Sequence, residues 1–227
     1  MSRYEITDEQ RAEILRTGNF KLTPEQRELS FADSFVRMAF DYGLQYLGAA
    51  RFALASAFCE IGPTLLHHAV ETFLQGCLAV QDTPAQIRNY RETYFSHKLP
   101  RLWQALTPRY PAAGLDEFTA AVDGLERFRE VRFPESLAAF GGCIQVGFFD
   151  PGPNAGSTSH PERNFSFGTE QIDRLVAKLF EVAGFSPSAF DWRLRNVHAA
   201  PYFAMHSSAP LVRDEPAPRV PAETSEG

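Results

Sequence analysis

The sequence predicts a mainly α fold, and three observations carry that prediction. Apolar residues recur at steps of three and four through most of the stretch from Ser34 to Arg132, the period of one face of a helix. Thr7 and Gln10, and again Thr23 and Gln26, stand three residues apart. That is the spacing of a capping box, in which the Thr oxygen takes a free backbone N–H and the Gln side chain reaches back to another. Proline and glycine punctuate the periodic stretches, as breaks between helices require. A hydrophobic fraction of 44% with 20 Phe is ample for a packed core and argues against wholesale disorder.

Residues 1–33 read as an N-terminal helical arm of two short helices, serving as a docking arm or as a flap over the bundle. The first ends near Gly18, and Pro24 suits the opening position of the second. The main bundle is expected over 34–134. Its first helix runs from about Ser34 to about Cys59, with Phe35, Met38, Tyr42, Tyr46, Ala49, Ala53 and Ala57 on one face. Gly62-Pro63 then breaks the chain, because proline biases its predecessor away from helical angles. The second helix runs to about Val80, with Leu66, Val70, Phe73 and Cys77 sharing a face. A polar, arginine-bearing loop with a short helix follows. A third helix opens near His97, and a fourth covers about Leu115 to Glu130, with Asp116 and Glu117 suited to its positive end. Residues 135–206 are expected to form a small β-hairpin plus a helical extension. Gly142–Phe149 and Asn164–Phe167 are its strands, and a helix from Thr169 to Gly184 follows. Residues 207–227, with four prolines and no aromatics, read as a disordered tail.

The formal net charge is −6, which argues mildly against a general nucleic-acid coat. Cys59, Cys77 and Cys143 sit in apolar contexts, and an odd count makes a poor disulfide framework. They read as buried thiols in a reducing compartment. The first residues lack an apolar signal core, and no run approaches the ~18 apolar residues of a membrane span. A cytoplasmic protein away from membranes is the expectation. There is no P-loop, Rossmann glycine fingerprint or G-x-S-x-G, so no cofactor is expected.

Three stretches resemble the HEPN domain superfamily (higher eukaryotes and prokaryotes nucleotide-binding). His68-Ala69-Val70-Glu71, with Leu74 and Gly76, lies in the second bundle helix. His97-Lys98-Leu99 opens the third. Arg129-Glu130-Val131-Arg132-Phe133-Pro134 closes the fourth. The resemblance covers about 100 of the 227 residues. It implies an up-and-down bundle of four or five helices, often a homodimer. Catalytic members are ribonucleases with Arg, four to six residues, then His on the last core helix. No His follows Arg127, Arg129 or Arg132 at that spacing, so no catalytic residue is assigned. Arg91 with His97, and Arg193 with His198, match the spacing in other places.

The segment from Pro84 to Pro111 holds Arg88, Arg91, Lys98, Arg101 and Arg109 against one acid, Glu92, with Tyr90, Tyr94, Trp103 and Tyr110 interleaved. Cations attract phosphates and aromatics stack on bases. Arg88, Arg91, His97, Lys98 and Arg101 are therefore the candidate ligand-binding set, for a nucleotide, RNA or another anionic partner. The bland alternative is a solvated face with Trp103 in the core. Glu71, near an apolar seam, is expected to pair with Arg129 or Arg132, since a buried carboxylate needs a partner. The adjacent His67 and His68 point to different sides of the helix. His68 lacks a donor four residues on, although Glu71 follows His67 at that spacing. The expectation is packed or surface histidines and no metal. The function expected is thus a non-catalytic ligand-binding or interaction module. The alternatives are a toxin-like, metal-independent ribonuclease and a structural partner subunit.

Overall fold

The computed structural model describes residues 6–17, 21–58, 60–90, 97–129, 143–147 and 164–185, and they are mainly helical. In order come α1 (Asp8–Thr17), α2 (Pro24–Ala55), α3 (Ile61–Gln81), α4 (Pro84–Arg88) and α5 (Leu99–Leu106). Three short 3-10 turns (Thr107–Arg109, Pro111–Ala113, Leu115–Phe118) lead into α6 (Thr119–Arg127). Strands β1 (Cys143–Gly147) and β2 (Asn164–Gly168) precede α7 (Thr169–Val182). No described helix is long and apolar enough to cross a membrane.

The capping boxes form as the spacing predicts. Thr23 accepts from Gln26 N at 3.1 Å while Gln26 Oε1 accepts from Thr23 N at 3.0 Å. Thr7 and Gln10 repeat the exchange at 3.2 and 3.1 Å. The consequence at Thr23 differs from the expectation of a separate short helix. Pro24 starts one continuous helix that runs through 33 and 34 to Ala55, because nothing between Glu25 and Ala55 interrupts the ladder. The arm therefore contributes only α1 as a separate element. It has no buried residue. Reciprocal amide bonds between Gln10 and Gln26, at 2.6 and 2.8 Å, tie it to the start of α2.

The break between α2 and α3 falls at 56–60 rather than at Gly62-Pro63. Ala57 takes a left-handed φ of 60° there. Pro63 sits in the first turn of α3, where its missing N–H has no intrahelical partner to lose. The close pairs Gly43 with Phe73, Gly76 with Phe40 and Gly62 with Leu54 run in opposite senses along the two helices. α2 and α3 are therefore an antiparallel hairpin. A Cβ on Gly43 would lie 2.4 Å from the Phe73 ring, so the glycine is what admits that ring.

The buried face of α2 is not the one expected. Val36, Ala39, Phe40, Leu44, Leu47 and Ala50 are buried, whereas Met38, Tyr42 and Tyr46 are 49%, 49% and 40% exposed. Both stripes have helical spacing. The inner one carries the small residues that let α3 approach. Phe40, Phe73 and Phe180 join in mutual ring contacts at 4.8–5.5 Å and bring α7 onto the hairpin.

Two further differences concern the later elements. The fourth bundle helix begins as a 3-10 turn at Leu115 and becomes α-helical only at Thr119. β1 and β2 pair in parallel, Cys143 opposite Asn164 through Gly147 opposite Gly168, so they are not a hairpin. Parallel pairing needs a long connection rather than a tight turn, and 16 residues separate the strands. α7 follows the expected bounds and stops before Gly184, whose φ is +72°. Cys77 is buried and free, and burial pushes its thiol well above the usual range. The tail, the 150–163 loop, Cys59, Arg91, Arg132, Arg193 and His198 lie outside the described residues.

Candidate histidine and glutamate centre

α3 gathers the first half of the centre by helical spacing alone. Residues three and four apart lie on one face, so Glu71 is within reach of both His67 and His68. Glu71 Oε2 lies 3.5 Å from His68 Nδ1 and 3.9 Å from His67 Nδ1. The second half arrives through tertiary packing. His97, just before α5, places Nδ1 2.8 Å from Glu71 Oε1. Glu126 of α6 places Oε2 3.1 Å from His67 Nε2. Three imidazoles and two carboxylates thus interlock α3, α5 and α6.

Glu126 has a second task. Lys98, at the N-cap of α5, gives no side-chain cap, and Glu126 Oε2 accepts the Leu99 N–H at 2.9 Å instead. A carboxylate at a helix N-terminus is favoured by both the free N–H and the dipole. Arg129 approaches Glu126 Oε1 at 3.4 Å and the His97 carbonyl at 3.5 Å. His97 adopts φ 49°, a left-handed conformation that a non-glycine residue holds only when its surroundings enforce it. Glu71 and Arg129 are those surroundings.

The electrostatics follow from burial and these contacts. Burial pushes the Glu71 carboxyl up, but hydrogen bonds from His68 and His97, with the charges of His97 and His67, outweigh it. The group is held below its usual value. Burial pushes His67 below the usual imidazole range despite the upward pull of Glu126 and Glu71. At neutral pH Glu71 is a carboxylate, and a carboxylate only accepts hydrogen bonds. His97 Nδ1 therefore donates to it. Glu71 is 5% exposed, whereas 55% of the His97 side chain is exposed. The centre is thus closed at its floor and open at His97. Tyr46 lies beside His68 with ring centroids 5.5 Å apart.

Of the two arginines expected to pair with Glu71, Arg129 extends instead to Glu126 and Arg132 lies outside the described residues, while histidines meet Glu71. The reason is reach. The imidazoles on its own turn and the His97 ring occupy both carboxylate oxygens. The expected basic face divides in two. Arg88 pairs with Glu28 at the surface, 3.0 Å from Nη2 to Oε1, and lies over Phe31 at 4.4 Å. Tyr90 is buried and donates to Asp82 at 2.6 Å. Arg109 donates to the Leu78 carbonyl and to Asp82, at 3.2 and 2.5 Å. Trp103 is buried and donates to Thr119 at 3.1 Å. Arg88 ties α4 to α2, Tyr90 and Arg109 hold to the end of α3, and Trp103 ties α5 to α6; the two buried rings offer no stacking surface. Lys98 and Arg101 remain exposed at the start of α5, beside His97.

His67 and Glu126 are the members that sequence reasoning missed. The His67–Glu71 spacing was a usable signal. Glu126 carried none, since its role arises from the packing of α6 against α5. No protein-family model, curated protein or solved structure matches this chain.

Proposed function

We propose that the chain is a non-catalytic binding module on an HEPN-like bundle. Its ligand would be an anionic group, a nucleotide or RNA phosphate, met by His97, Lys98 and Arg101. One observation carries the reading. Described residues from each of the three stretches that carry the family resemblance meet at one place, with Glu71 holding His97 and Arg129 reaching the His97 carbonyl. At that place an exposed imidazole and two exposed cations stand together at the start of α5, and their charge favours an anion. The reading includes a cytoplasmic homodimer, and the outward stripe of Met38, Tyr42 and Tyr46 supplies an apolar surface for it.

The ribonuclease reading draws on a different feature. A buried carboxylate orienting an exposed imidazole is the arrangement of an activated general base, and Glu71 with His97 has it.

The test is thermal stabilisation by nucleotides and short RNA. The module is expected to gain stability at low salt and to lose that gain as salt rises. Lys98→Glu combined with Arg101→Glu is expected to remove the gain. Binding unchanged by that pair would reduce the face to ordinary surface. RNA cleavage by the pure protein, lost in His97→Ala, would replace the binding module with the ribonuclease.

A further inference from the structure

The donor atoms of His67, His68 and Glu71 lie within 4.8 Å of one another. In the neutral His67 ring the contact with Glu126 uses the Nε2 proton, because Glu126 already accepts from Leu99 and faces Arg129. The Nδ1 lone pair of His67 then faces the lone pairs of Glu71 Oε2 across 3.9 Å. His68 Nδ1 converges on the same oxygen from 3.5 Å. The His67 Nδ1 and Glu71 Oε2 lone pairs so placed repel one another unless a cation sits between them. The hydrogen bond from His68 to the same oxygen can be exchanged for that cation.

We propose that His67 Nδ1, His68 Nδ1 and Glu71 Oε2 bind one divalent transition metal ion of the zinc type. A tetrahedral zinc, with bonds of about 2.0–2.2 Å, holds its donors about 3.3–3.5 Å apart. Two separations are 3.5 and 3.9 Å and all three atoms lie within 4.8 Å, so side-chain rotations close them onto the ion. Two imidazoles and a carboxylate are donors suited to zinc and its first-row neighbours. The outer contacts are those a metal site uses. Glu126 holds the far nitrogen of His67, and His97 donates to the other Glu71 oxygen, Oε1. Three protein ligands leave a fourth position open. His97, part of the proposed anion site, holds the same carboxylate through Oε1, so a cation on Oε2 would add to the attraction of that site. Metal binding is read without nucleotide, so either proposal can fail without the other.

The experiment is calorimetric titration of the chelator-stripped full chain with ZnCl2. One ion per chain is expected. His97→Ala and Glu126→Gln should each weaken it about 10–100-fold, and His68→Ala by more than either. No saturable one-to-one binding would overturn the proposal. So would affinity unchanged in His68→Ala, which would place the ion on other histidines such as His160 or His206. Circular dichroism checks that each variant folds. His97 is exposed, so His97→Ala keeps the test decisive if His68→Ala does not fold. The visible bands of the Co2+ form are a second readout. They should shift in His97→Ala, and bands unchanged in that variant would also overturn the assignment.

Discussion

Arg51→Met is expected to lower the unfolding free energy by about 3–5 kcal/mol, or roughly 6–20 °C in midpoint for a chain of this length. Arg51 of α2 and Asp173 of α7 form an ion pair with side chains 3% and 7% exposed. Burial pulls the Arg51 guanidinium down to about 10, which still leaves it charged at neutral pH. Removing it strands the Asp173 carboxylate in the core. Asp173 Oδ2 already has no hydrogen-bond partner among the described residues, so nothing nearby takes over. The double variant Arg51→Met, Asp173→Leu removes both charges and is expected to recover most of the loss, since apolar replacement of a whole buried pair is often neutral. Chemical denaturation of the three proteins checks this. A single variant as stable as the wild type would mean that the pair is solvated.

Phe73→Ala is expected to cost about 3–5 kcal/mol, from lost transfer energy and the cavity left behind. Phe73 is fully buried, meets Phe40 and Phe180 at 5.4 and 5.5 Å, and lies over Gly43. The same contact sets a second, coupled result. Gly43→Ala gains about 1 kcal/mol in helix propensity, but its Cβ would meet the Phe73 ring at 2.4 Å. Overpacking costs about 1–3 kcal/mol, so the net effect is a loss in the wild type. In the Phe73→Ala background the ring is gone, and Gly43→Ala should become neutral or stabilising. Additive effects in this double-mutant cycle would contradict the packing described between α2 and α3.

What was legible in the sequence follows from range. The capping boxes at Thr7 and Thr23 join residues three apart, and they formed as read. The bounds of α7 were legible because Gly168 and Gly184 flank a clean apolar period. The buried face of α2 was not. Tyr42 and Tyr46 repeat as regularly as Phe40 and Leu44, and only the approach of Phe73 to Gly43 selects between the stripes. The pairing sense of β1 and β2 depends on a connection whose path no local pattern encodes.

The centre divides the same way. His67, His68 and Glu71 share one helix turn, and their spacing was visible. Reading adjacent histidines as pointing apart overlooked that Glu71, three and four residues on, lies between them. His97 and Glu126 join only when α5 and α6 pack on α3, over sequence distances of 26 and 59 residues. Arg129, one of the two arginines expected beside Glu71, reaches Glu126 instead, and the histidines meet Glu71.

The convergence of these side chains on Glu71 is open to one direct measurement. Crystals grown with ZnCl2 and measured at the zinc absorption edge should show one anomalous peak per chain, among His67 Nδ1, His68 Nδ1 and Glu71 Oε2, with His97 against Glu71 Oε1. Side chains of His67 and His68 turned away from Glu71, with the anomalous signal confined to other histidines, would contradict it.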